Sequence, residues 1–154
     1  MEKTPFYAES GGQVGDKGSL TFEDGTILAV TDTKKENNLF IHFTDSLPAT
    51  IGSTVKASVD TTLRTHTTQH HSATHLLHAA LRTVLGKHVA QKGSLVHAEQ
   101  LRFDFSHFAK MTNEEIEAVA KLVNEKVKEN VPVVIKEMSK DEAIALGAMA
   151  LFGE

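Results

Sequence analysis

Histidine spacing is the first chemical signal in this chain. The run His71-Ser-Ala-Thr-His75-Leu-Leu-His78 sets two histidines four apart and a third three further on. On a helix, at about 100° per residue, all three imidazoles fall on one flank. A pair at i, i+4 lies one turn apart, near enough to share a metal ion. Zinc takes four ligands in structural sites and keeps three protein ligands in catalytic ones, so His71 and His75 supply only part of a shell. A zincin helix needs Glu directly after its first histidine as general base; Ser72 stands there, which disfavours a metalloprotease. The chain has no cysteine. Any further ligand is therefore His78, a distant histidine or carboxylate, or a group outside the chain. The alternative is a solvated polar helix face that holds no metal.

Two other stretches carry polar chemistry. Ser10-Gly-Gly-Gln13-Val-Gly15-Asp-Lys-Gly18 puts four glycines in eight residues, a loop whose backbone can approach a ligand closely or adopt positive φ. Phe6, Tyr7 and Val14 predict that the loop packs rather than trails as a tail. A second HxxxH pair, His66 and His70, would fall on an apolar stripe and is discounted as a ligand pair. His42, inside the apolar run Leu39–Phe43, reads as a packed strand histidine.

The elements that must hold these residues follow from periodicity. Ala73, Leu76, Leu77, Ala80, Leu81, Val84 and Leu85 recur at helical spacing, predicting a core-facing stripe opposite His71, His75 and His78. The β-branched run Thr65–His70 is expected to lead into that helix rather than belong to it. Gly86 is a good residue to end it. Before the helix, strands are expected at Ser19–Glu23 and Thr26–Asp32, joined by a turn at Asp24-Gly25, with a polar loop at Lys34–Asn38. Further strands are expected at Leu39–Phe43 and Thr54–Asp60. After the helix, Val89–Val96 reads as a strand with a bulge or turn. Leu101–His107 alternates, with Leu101, Phe103 and Phe105 inward. Thr112–Glu115 and Ser139–Glu142 are capping boxes, opening a helix to about Asn130 and a short helix toward Gly147. Val131–Glu137 reads as a strand between them.

The expected fold class is α+β. A small β-barrel-like subdomain at 1–60 would pack on an α/β subdomain at 61–154, with an antiparallel sheet and covering helices. At 154 residues the chain suffices for one domain or two small packed subdomains. No stretch has the roughly 20 apolar residues of a membrane span, and the N-terminus has no signal-peptide pattern. Absence of cysteine is compatible with a cytoplasmic location. A net charge of −4 excludes a polybasic binder and disfavours DNA as partner. Any RNA contact must come from a local patch, for which Arg64, Arg82, Lys87, Lys92 and Arg102 are candidates.

Four segments, in order, resemble the editing region of bacterial alanyl-tRNA synthetase. They are Thr4–Gly15 (TPFYAESGGQVG), His71–Leu81 (HSATHLLHAAL), Gln91–Val96 (QKGSLV) with Leu101–His107 (LRFDFSH), and Gly147–Glu154 (GAMALFGE). Free-standing trans-editing proteins share the Gly-Gly-Gln loop and HxxxH, but the FDFSH and ALFGE segments look more like the full synthetase. The resemblance implies hydrolysis of mischarged Ser-tRNA(Ala) and Gly-tRNA(Ala), with the tRNA(Ala) acceptor end as partner. It implies zinc at His71 and His75, completed by a Cys-Gly-Gly-Thr-His segment beyond Glu154. The ATP-using aminoacylation domain of such a ligase would also lie outside the chain. By the same resemblance, Gln91 and Thr4 belong to the catalytic pocket, while Ser10, Gly11, Gly12, Gln13 and Arg102 fall on the substrate side. Editing answers a physical need: an alanine pocket cannot strongly reject glycine, and serine is only modestly disfavoured, so a second hydrolytic site must clear the errors. Two other readings are a tRNA-binding or structural module inactive by itself, and an unrelated zinc hydrolase using His71, His75 and His78.

Overall fold

A computed structural model describes residues 3–48 and 54–148. The chain forms two compact units, Met1–Thr74 with Gly93–Phe103 and His75–Lys92 with Asp104–Glu154. The class is α+β, with antiparallel sheets and three helices among the described residues.

The first unit is built on β1 (Gly18–Phe22), β2 (Ile27–Glu36), β3 (Leu39–Thr44) and β4 (Val55–Val59). They form one antiparallel sheet in the order β3-β2-β1-β4, so among the described residues β3 and β4 are its edges. Leu20 pairs with Leu28 on one side and Ala57 on the other. Alternation then buries Phe6, Leu20 and Val30 against Phe22, Val55, Ala57 and Val59. Phe6 is only 2% exposed, so the N-terminal loop packs as its apolar residues predict.

The expected polar loop at Lys34–Asn38 is corrected: β2 continues to Glu36, and only Asn37 and Asn38 turn the chain. Asn37 takes φ 54°, a left-handed position that asparagine tolerates, so the strands can run on to a tight hairpin. A bulge between Val30 and Asp32 matters more. One extra residue there reverses the inward parity. Leu28 and Val30 face inward before it and Thr33, fully buried, faces inward after it.

A long helix, α1 (Thr61–Leu85), follows. The run Thr65–His70 belongs to it, against the expectation that this run only leads in. Asp60 starts the helix, its carboxylate accepting from Leu63 N at 2.9 Å. The threonine hydroxyls then satisfy themselves internally: Thr67 donates to the Leu63 carbonyl and Thr74 to the His70 carbonyl, at 2.8 and 2.9 Å. Satisfied in that way, threonine can be buried at little cost. α1 buries Ala80 and Leu81 of the predicted stripe and, beyond it, Thr67, Thr74 and His78. Gly86 ends the helix as expected.

β5 (Gln91–Val96) and β6 (Leu101–Phe105) form a two-stranded sheet. In the second unit α2 (Asn113–Lys128) and α3 (Lys140–Ala145) both open with the predicted capping boxes, closed on Thr112 and Ser139. The apolar face of α2, with Ile116, Val119 and Val123, joins Leu77, Leu81 and Phe105 around a groove of about 440 Å³. The expected strand at Val131–Glu137 is not formed. Its residues form no regular element and are exposed, Ile135 by 88%. A strand needs a neighbouring edge to satisfy its backbone, and Pro132 lacks an N–H to offer one. The Ala150–Phe152 segment lies outside the described residues.

Candidate functional site

The best-defined polar constellation joins the glycine-rich loop to α1 within the first unit. Ser10 and Gln13 exchange two backbone hydrogen bonds, Ser10 N to Gln13 O at 3.1 Å and Gln13 N to Ser10 O at 3.0 Å. Between them Gly11 and Gly12 take φ 59° and 82°. Positive φ at both central residues makes this the tight turn that suits glycine best. Gly12 has a second constraint, because a Cβ there would come within 2.8 Å of the Ser94 carbonyl oxygen. The close approach lets Val96 N donate to Gly12 O at 2.7 Å and Val14 N to Val96 O at 3.1 Å. The loop is thus stitched to the second half of β5.

That stitching fixes Gln13. Its side chain is 5% exposed, and its Oε1 lies 2.7 Å from His71 Nδ1. An amide oxygen only accepts, so Nδ1 donates to it, and in the neutral ring Nε2 then carries the lone pair. This is the tautomer a metal-ligating imidazole needs, oriented by a second residue. One turn along α1, His75 is exposed. The predicted place of His78 on an open flank is corrected: it is 4% exposed. Burial and then the nearby Arg82 charge hold its imidazole below the usual range, with a hydrogen bond to the Val89 backbone opposing in part. A neutral, buried His78 is a packing residue. Among the described residues no group of three or more histidines or carboxylates is placed to hold a metal. The residues present fit zinc in donor type and tautomer, not in number.

Thr4 belongs to a different part of the first unit. Its hydroxyl accepts from Phe6 N at 3.2 Å and faces His42 Nε2 at 2.8 Å. Burial lowers the His42 pKa and favours the neutral ring, and Phe6 packs edge-on against it at 5.1 Å. His42 is the packed strand histidine that the sequence predicts. Thr4 and Ser10 line one cavity of about 650 Å³, together with Tyr7, Lys35, Phe40 and Arg64. Tyr7 braces the loop, its hydroxyl donating to Ser10 O at 3.1 Å. Gly11 is exposed at the loop tip, Gln91 is half-buried at the start of β5, and Arg102 is exposed on β6.

Sequence reasoning missed Asp16, which is 7% exposed. It accepts from Tyr7 N at 2.6 Å and from Arg64 Nε at 2.7 and 2.9 Å, and it also takes Arg64 Nη2. Its backbone carbonyl accepts from Thr33 Oγ1 at 2.9 Å. The only signal for this was an acid inside a glycine-rich loop. Arg64 also donates to Pro5 O at 3.0 Å, and Arg82 to Lys87 O and Val89 O at 2.9 and 2.8 Å. Two of the five cations proposed for RNA therefore hold the fold. Lys87, Lys92 and Arg102 remain exposed.

Residues 1–63 match the family model described as tRNA synthetases class II (A). That match covers the first 63 residues of the chain and shows similarity to this family over that stretch. Along its whole length it matches alanine–tRNA ligases, at 54% identity over 155 residues in Christiangramia forsetii, 55% over 155 in Cytophaga hutchinsonii and 56% over 155 in Bacteroides thetaiotaomicron. Each alignment covers 100% of this chain and 18% of the relative. The chain is thus similar to one segment of these ligases and spans less than a fifth of their length. No described helix is long and apolar enough to cross a membrane.

Proposed function

We propose that this segment carries the editing site of an alanyl-tRNA synthetase, acting in the cytoplasm to hydrolyse Ser-tRNA(Ala) and Gly-tRNA(Ala). The observation that carries the reading is the Gln13–His71 hydrogen bond. It joins the Gly-Gly-Gln loop to the HxxxH helix across 58 positions of sequence, two motifs that have no shared structural reason to meet. Gln13 orients the His71 ring and keeps its proton on Nδ1. His71 and His75 would be two ligands of the zinc ion that the family resemblance implies. When bound, zinc would supply a Lewis acid toward the ester or its attacking water. Gln91 is assigned to the serine side chain, because an amide can both donate to and accept from a hydroxyl. Thr4 and Ser10 are assigned to the substrate side through their shared cavity. Aminoacyl esters are intrinsically labile, so holding the ester and excluding alanine is most of the task.

Deacylation of purified Ser-tRNA(Ala) by wild type, His71→Ala and Gln13→Ala, each with and without added zinc, tests the proposal. Wild type should clear the ester, His71→Ala should abolish clearance, and Gln13→Ala should lower the rate by about tenfold or more through lost orientation. Equal rates for all three would reject the editing assignment. A second reading, a tRNA-binding module inactive by itself, is favoured by the incomplete ligand count among the described residues. It predicts tRNA(Ala) binding with no deacylation under any condition.

A further inference from the structure

We propose that His88, His107 and Phe108 form a stacking platform for an unpaired nucleotide of single-stranded RNA. The three rings cluster in the second unit. His88 is the middle member: it stacks on Phe108 at 4.5 Å between centroids with 23° between planes, and lies edge to edge with His107 at 5.2 Å with 20°. His88 Nε2 and His107 Nδ1 lie 2.9 Å apart, so one ring donates to the other and their planes are locked together.

The backbone beneath the rings is held as firmly as the rings themselves. Arg82 donates to the carbonyls of Lys87 and Val89 on either side of His88, at 2.9 and 2.8 Å. Ser106 N donates to Ala90 O at 3.0 Å, and Ala90 N donates to Ser106 Oγ at 3.2 Å, fixing the chain just before His107. Val89 between these anchors is fully buried. Phe108, by contrast, is 87% exposed. A large aromatic ring held at that exposure contributes little to the core, and a rigid ring loses little entropy when a planar ligand settles on it. The packing value of these rings is small and their geometry is well defined, which is the combination expected of a recognition surface.

Charge selects the ligand. Lys87 precedes His88, Lys110 follows Phe108 by two positions, and both are exposed, on a chain whose net charge is −4. Exposed aromatic faces flanked by lysines match bases on a phosphate backbone. Stacking on an aromatic face requires a base free of its own helix, so single-stranded RNA fits and a duplex does not. The proposal rests on the editing assignment only for the choice of RNA over DNA.

The test is direct binding of a short single-stranded RNA carrying no amino acid, which separates it from any deacylation result. Fluorescence anisotropy with a labelled five-nucleotide RNA should show Phe108→Ala weakening binding by about 5- to 140-fold, the range for loss of one stacked base. Circular dichroism and melting temperature should be unchanged, because the side chain is exposed. The chain has no tryptophan, so Phe108→Trp introduces a single reporter. It should retain binding, and its emission should be quenched as the oligonucleotide is added. His88→Ala should weaken binding similarly by freeing the Phe108 ring. Equal binding by wild type and Phe108→Ala, an unquenched Phe108→Trp, or equal affinity for a duplex of the same sequence would each overturn the proposal.

Discussion

Adding one methyl group to either glycine of the Ser10–Gln13 turn separates two constraints that act on neighbouring residues. Gly11 has positive φ, 59°, with nothing within 4 Å of where a Cβ would stand. Gly11→Ala therefore incurs only the left-handed conformation, about 1 kcal/mol. Gly12 has φ 82°, and its Cβ would lie 2.8 Å from the Ser94 carbonyl oxygen and 3.0 Å from Ser94 Cβ. The nearest obstacle is backbone, which cannot swing aside as a long side chain can. Gly12→Ala should incur the same conformational cost. It should also push the loop off β5, weakening the Val96 N–Gly12 O and Val14 N–Val96 O hydrogen bonds. At about 0.5–1.5 kcal/mol for each bond, the total reaches about 2–4 kcal/mol. A displaced turn carries Gln13 with it, so Gly12→Ala should also loosen the His71 contact and Gly11→Ala should not. Urea denaturation measures the stability difference, and the imidazole nitrogen shifts of His71 by NMR measure the second effect. Equal destabilisation by the two substitutions, or an unchanged His71 signal in Gly12→Ala, would refute the close-approach argument.

Further outcomes are expected elsewhere in the molecule. Asp16→Ala leaves the Tyr7 N–H and the partly exposed Arg64 without their shared acceptor, and should destabilise by about 1–3 kcal/mol in the same denaturation experiment. His78 has a folded pKa below its usual 6.5 because of burial, so below pH 6.5 the unfolded chain takes up a proton that the folded chain resists. Its contribution to stability is complete above pH 6.5 and is lost as pH falls toward the folded value; His78→Asn should flatten the decline in melting temperature between pH 7.5 and 5, taken as about the titration range of histidine. Gln91→His should slow Ser-tRNA(Ala) deacylation while changing stability by less than about 0.5 kcal/mol, and unchanged rates would remove Gln91 from the site. Ile135→Ser, at a position 88% exposed, should shift stability by less than about 0.5 kcal/mol, and a larger loss would show the segment to be packed.

Local chemistry was legible in the residues themselves. The Asp24-Gly25 turn, both capping boxes, Gly86 at the helix end and the strands β1 and β4 each depend on a few neighbouring residues, so short sequence windows suffice to find them. The histidine pair on α1 was equally visible, because helical spacing is a property of the helix alone. What α1 buries was visible only in part, at Ala80 and Leu81. The burial of Thr67, Thr74 and His78 depends on the segments packed against the helix, and on hydroxyls that find carbonyls only once the helix exists. Register across the β2 bulge likewise reverses which face Thr33 occupies, and one extra residue is silent in an alternating pattern. The strand expected at Val131–Glu137 failed for the converse reason, since strand propensity is realised only beside an edge that can take its hydrogen bonds. The site itself divides the same way. Gln13 and His71 could each be picked out by type, but the hydrogen bond between them, across 58 positions, is a property of the tertiary structure, because only folding brings the turn and the helix to 2.7 Å.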